Sequence, residues 1–130
     1  ESVKAMYKAV TVPHAKYHHM TIKEAEMVKS AQNTMLASRV ALANMIFDAC
    51  EELGIEYSKI REVAFDSFEI IGPHMVTVPG PDGKRGFGGK CLPKDIRAFS
   101  TIHKSKLLDA IIAYNDSLRN DLVKFLKNYK

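Results

Sequence analysis

Between Ile22 and Leu53 the chain runs without a glycine or a proline, and apolar residues return at steps of three and four: Val28, Met35, Leu36, Val40, Ala43, Ile46, Phe47, Cys50 and Leu53. That period lays them along one side of an α-helix. Thr21 and Glu24 stand at capping-box spacing, the first to accept from the Glu24 amide and the second to reach back, and Gly54 suits the C-terminal cap. The pattern predicts one helix of about 30 residues, roughly 45 Å long at 1.5 Å per residue.

The flanks read differently. Residues 2–9 are weakly helical and residues 10–19 are β-prone around Pro13, which predicts a short helix followed by an extended segment. Beyond Gly54, Ser58 is placed to cap a shorter helix reaching about Phe65, with Ile60, Val63 and Ala64 on one face. From Asp66 to Cys91 the periodicity vanishes, and this stretch holds three of the five prolines and six of the seven glycines. It predicts a long loop, and long ordered loops tend to carry function. Pro93 suits the first turn of a further helix to about Ile102. Ser105 can cap a last helix to near Tyr129, with Leu107, Leu108, Ile111, Ile112, Leu118, Leu122 and Phe125 on its buried side. The expected architecture is a mainly α domain built on one long helix.

Composition narrows the class. With 46% apolar residues, 26% charged residues and no apolar run near ~18, the chain reads as one globular domain with a core and no membrane span. The first residues, Glu1-Ser2-Val3-Lys4, contain neither an initiator Met nor a secretion signal, which reads as an internal start. Two cysteines, Cys50 and Cys91, make a poor disulfide framework and fit reduced thiols in a cytoplasmic protein. The net charge of +4 is scattered, with no basic run or aromatic interleaving, so it argues for nucleotide phosphates at least as well as for nucleic acid, and a nucleic-acid partner is not expected.

The glycine-rich loop invites a phosphate cradle, since glycine lets backbone amides converge on an anion. A Walker A loop needs glycine where Lys84 stands and Ser or Thr where Cys91 stands, so that reading fails. A dinucleotide fingerprint must follow a strand and open a helix, and Gly83, Gly86, Gly88 and Gly89 have neither the spacing nor the setting. What remains is a thiol between the loop and a helix N-terminus, where free amides, the helix dipole, Lys90 and Lys94 all favour a thiolate. A lone cysteine is also an ordinary small apolar residue, and Lys29 with Asn33, four apart, also fits a plain solvated helix face. His14, His18, His19 and His74 lack metal-ligand spacing, so no metal is expected.

Gly86-Phe87-Gly88-Gly89-x-Cys91-x-Pro93-Lys94-Asp95 closely resembles the catalytic-cysteine motif of the UDP-glucose/GDP-mannose dehydrogenase family, the nucleotide-sugar 6-dehydrogenases. Ala25-Glu26-x-x-Lys29-x-x-x-Asn33 is similar to a second motif of that family, on its long central helix. Ile71-Gly72-Pro73-His74, Pro79-Gly80-Pro81 and Asn115 add to the likeness, which covers about residues 7–125. The chain departs from the family pattern at three places. Asn44-Met45 stands where Asn-Glu is usual, Ile70 stands where an Arg is usual, and Asp82-Gly83-Lys84-Arg85 resembles a small insertion bringing its own cations.

The resemblance implies a helical central domain like the C-terminal domain of 6-phosphogluconate dehydrogenase, spanning residues 21–130, with residues 1–20 the tail of a preceding NAD-binding Rossmann domain. It implies oxidation of UDP-glucose to UDP-glucuronate with two NAD through a cysteine thiohemiacetal and thioester. Cys91 is then the nucleophile. A buried Lys29 and Asn33 stabilise the oxyanions, with removal of such a donor costing ~2.7–4 kcal/mol. Asp95 keeps Lys29 charged and positions the hydrolytic water. Phe87, Gly88 and Gly89, with Lys29 and Asn33, contact the sugar, and Lys94 faces the dinucleotide. The resemblance also implies a homodimer through the long helix, whose Met27, Met35 and Met45 are core or dimer packing, and a segment that is inactive by itself. A GDP-mannose 6-dehydrogenase and a non-catalytic helical dimerisation module are the alternatives.

Overall fold

A computed structural model of the chain describes residues 18–120. It is mainly α: α1 (Ile22–Leu53), α2 (Tyr57–Arg61) running into a π-helical turn (Glu62–Asp66), α3 (Cys91–Ile102) and α4 (Lys106–Leu118). No strand occurs among the described residues. The predicted helix over 2–9 and the extended segment lie almost wholly outside them.

The long helix forms where its periodicity places it. Thr21 Oγ1 accepts from the Glu24 amide at 3.1 Å, the Glu24 carboxylate accepts from the Thr21 amide at 2.9 Å, and Gly54 closes the helix in left-handed geometry. Its buried face differs from the expected one. Ala37, Ala41, Ala43, Asn44 and Cys50 are buried, whereas Val28, Met35, Leu36 and Leu53 are exposed. Small side chains let α3 and α4 approach α1 closely, so contact selects alanines where periodicity alone selects bulk.

Two apolar clusters follow. In the first, Ala37 and Ala41 of α1 meet Phe87 from the loop, Ile96 from α3, and Leu108 and Ile111 from α4. In the second, Ala43 and Cys50 meet Tyr57, Val76 and Val78. Tyr57 is buried, its hydroxyl donates to the Val76 carbonyl at 2.5 Å, and its ring meets Phe47 edge-on at 5.6 Å. Burial pushes the Tyr57 phenol up to about 12. This anchoring corrects the start of α2. Glu56 is the N-cap but its side chain caps no backbone amide, and Ser58, inside the helix, donates to Glu56 Oε1 at 2.7 Å.

Ser105 caps α4 as its position suggests, accepting from the Leu108 amide. Leu107 is exposed, because Leu108 and Ile111 take the inward face. Regular α4 geometry ends at Leu118, where Arg119 turns to φ −125° and ψ 83°. Leu122, Phe125 and the stretch to Tyr129 lie outside the described residues.

Candidate active site

The loop from Ser67 to Lys90 is tied down by polar side chains from the helices. Arg39 of α1 donates to three of its carbonyls, those of Ile71, Gly72 and His74, at 2.8, 3.0 and 2.9 Å. Buried Asn44 accepts from Arg85 Nε at 3.1 Å and from the Gly86 amide at 3.2 Å, and donates to its own helix at Val40. Arg85 also pairs with Asp48 at 2.7 Å and lies over the Phe47 ring at 4.8 Å. Asp48 accepts in turn from Tyr114 at 2.5 Å; burial and that bond to a carboxylate hold the Tyr114 phenol up at about 12. The Arg85 cation is thus consumed within the fold.

From α4, Asn115 grips the backbone of Phe87. Its Oδ1 accepts the Phe87 N–H at 2.7 Å and its Nδ2 donates to the Phe87 carbonyl at 2.9 Å. Arg119, only 4% exposed, pairs with Asp82 at 2.8 Å. Burial acts to lift the Asp82 carboxyl, but hydrogen bonds from Arg119 and the Lys84 amide, together with the Arg119 charge, bring it below the usual carboxylate range. Arg39, and the bonds that Asn44 makes to the loop, escape a motif-based reading. The signal for Asn44 was a polar residue inside the apolar stripe, between Ala43 and Ile46.

Beside this loop opens a cleft of about 370 Å³, lined by Val40, Met75, Leu92, Asp82 and the Gly86–Gly89 stretch among others. Phe87, Gly88 and Gly89 therefore line one cleft, although the Phe87 side chain itself turns into the first core cluster. Cys91 follows as the first residue of α3, an exposed free thiol; Cys50 is free and buried.

One turn beyond Cys91, Asp95 is 16% exposed and joins three other candidate residues. Asn33 donates to its Oδ2 at 2.6 Å, the Lys29 ammonium stands 4.0 Å from the same oxygen, and the Lys94 ammonium 3.9 Å from Oδ1. The expected burial of Lys29 is corrected: its side chain is 70% exposed, as is that of Lys94. An open ion pair of this length contributes little to stability, and both ammonium groups keep their freedom to meet an anionic ligand.

The model of the UDP-glucose/GDP-mannose dehydrogenase family, central domain, matches residues 23–117. The chain belongs to this family. It is similar to the UDP-glucose 6-dehydrogenase TuaD of Bacillus subtilis, at 35% identity over 116 residues, 85% of the chain and 24% of that relative. The UDP-glucose 6-dehydrogenase of Rickettsia felis is 30% identical over 129 residues, 95% of the chain and 27% of the relative. The UDP-glucose 6-dehydrogenase AglM of Haloferax volcanii is 31% identical over 112 residues, 82% and 24%. The chain spans about a quarter of the length of these relatives. The family match takes in α1 through nearly all of α4, so the whole polar cluster lies on central-domain ground.

Among the described residues, no helix is long and apolar enough to cross a membrane, and no group of His, Cys, Asp and Glu is arranged to hold a metal. For NAD the residues present fit a peripheral contact alone. The described loop opens no helix from a strand and offers no pyrophosphate turn, while the exposed Lys94 ammonium in the first turn of α3 suits a phosphate.

Proposed function

We propose that the chain is the catalytic centre of an NAD-dependent UDP-glucose 6-dehydrogenase, with Cys91 as nucleophile. The observation that carries the reading is the meeting of Asp95 with Asn33, Lys29 and Lys94, one helical turn from an exposed thiol that closely follows, in sequence, a stretch lining a cleft. UDP-glucose is favoured because the three relatives above bear that activity in their names.

When bound, NAD accepts the hydride in each of the two oxidations at the sugar C6. The Lys29 ammonium and the Asn33 amide stabilise negative charge on the C6 oxygen. The Cys91 thiolate adds to the aldehyde carbon, so that the second oxidation leaves a thioester. Asp95 orients Asn33, faces the Lys29 ammonium and aligns the water that releases the carboxylate and restores the thiol. Phe87, Gly88 and Gly89 shape the sugar side of the cleft, and Lys94 faces the dinucleotide phosphates. Met27, Met35 and Met45, exposed along α1, favour a homodimer through that helix, in keeping with a cytoplasmic enzyme.

The test is turnover of the intact gene product with NAD and UDP-glucose, which should form UDP-glucuronate with two NADH per sugar. Cys91→Ser should abolish it, and normal turnover by that variant would remove Cys91 from the mechanism.

A further inference from the structure

Three elements meet at the residues leading into Cys91. Gly86 is buried with its N–H on Asn44 of α1, the Phe87 ring is buried among α1, α3 and α4, and the Phe87 backbone is held at both its N–H and its carbonyl by Asn115. Asn115 is 2% exposed and, among the described residues, bonds to no other side chain in doing so. A Cβ on Gly86 would overlap Asn115 Oδ1, and a Cβ on Gly88 would overlap the Arg119 guanidinium. Asn115 and Arg119 lie four apart on the α4 side, so the Gly86–Gly88 backbone passes directly against this pair. Two glycines and one lysine then separate the clamped peptide from the thiol.

We infer that Asn115 is a positioning residue for the Cys91 thiol. It acts through the Phe87 backbone, by fixing where the glycine pair departs and hence how the first turn of α3 is presented to the cleft. The inference rests on Cys91 being the nucleophile proposed above. The Phe87 N–H and carbonyl belong to two successive peptide planes, so one buried side chain that bonds both fixes the two planes against each other, and a single bond leaves one of them free to turn. Gly88 and Gly89, without side chains to anchor them, cannot supply that constraint. Misplacing a nucleophile by about 1 Å lowers turnover by about 10²-fold.

The experiment uses the intact gene product with Asn115→Asp and Asn115→Ala, and Tyr57→Phe as the comparison. Asp at 115 keeps an acceptor for the Phe87 N–H and loses the donor to its carbonyl. Tyr57→Phe removes a buried side-chain-to-carbonyl bond of the other apolar cluster. Turnover and the rate of Cys91 alkylation by iodoacetamide are read together with the thermal midpoint. Asn115→Ala should lower kcat by about 10²-fold with the KM for NAD kept within about twofold, and Asn115→Asp should fall between it and wild type. Cys91 alkylation should slow in both, while Tyr57→Phe keeps the wild-type kcat and alkylation rate.

Wild-type kcat and alkylation rate in folded Asn115→Asp would overturn the inference, and so would an equal loss in Tyr57→Phe. If Asn115→Ala does not fold, Asn115→Asp decides alone. If the wild-type protein forms no NADH with any nucleotide sugar, the proposed function fails by itself, and the alkylation rates of Asn115→Asp and Tyr57→Phe still judge the positioning.

Discussion

Asn33 reaches from α1 to Asp95 on α3 and donates its amide across 2.6 Å, joining residues 62 positions apart in sequence. Asp95 is mostly buried, so its lone pairs depend on such partners. One face of the long helix is thereby keyed to the helix that Cys91 begins.

Removing Asp95 should therefore weaken the fold as well as the chemistry. Asp95→Ala should cost about 1–3 kcal/mol of unfolding free energy, because the partly buried Asn33 amide loses its acceptor. Urea unfolding of Asp95→Ala, Asn33→Ala and the double variant reads it. The double variant should be less destabilised than the sum of the singles, with a coupling of about 0.5–3 kcal/mol.

Acid should act through the Asp82–Arg119 pair. The Asp82 carboxyl lies below its ordinary range in the fold, so its contribution is full above the unfolded value of about 3.9 and disappears as pH falls through the folded one. Asp82→Asn should accordingly be less stable than wild type at pH 6, and the gap between the two urea midpoints should narrow as the pH falls below about 3.9. A gap that stays constant over that fall would assign the effect to shape and not to charge.

Alkali should act through two phenols. Tyr57 and Tyr114 both stand at about 12 in the fold, raised from 10.0, so their stabilisation is complete below pH 10 and is lost as pH climbs towards 12. The thermal midpoint of wild type should drop between pH 10 and 12, and Tyr57→Phe with Tyr114→Phe should flatten that drop while lowering the midpoint at neutral pH.

The glycines of the loop should separate into two kinds. Gly83 and Gly86 share φ 76°, which alanine adopts only with strain of roughly 1–2 kcal/mol. A Cβ at Gly83 meets open space, whereas one at Gly86 meets the buried Asn115 carbonyl oxygen. Gly83→Ala should show the strain alone in urea unfolding, and Gly86→Ala should lose distinctly more.

How far the sequence speaks depends on the range over which each signal acts. The capping box at Thr21 and Glu24, the cap at Ser105 and the glycine at 54 involve residues within a turn of one another, and all three stand where the sequence places them. The inward face of α1 is not local. Met35 and Leu36 carry the apolar signal, yet Ala37 and Ala41 are buried because two other helices lie there. The candidate site divides in the same way. The motif around Cys91 is contiguous, and Lys29, Asn33 and Asp95 were expected to act together; the exposure of Lys29 and the bonds of Arg39 and Asn44 to the loop depend on a tertiary path that no local pattern encodes.

The alanines of α1 have one more consequence. Ala37 is completely buried where α1 meets Ile96 of α3, the helix that carries both Cys91 and Asp95. It bears no chemistry, yet it works as a shim: a thicker residue there would lift the whole α3 rod away from Lys29 and Asn33 without touching any of them. Under the proposed function, alignment of the reacting groups would then be set by a methyl group that lies in the interface and takes no part in the reaction.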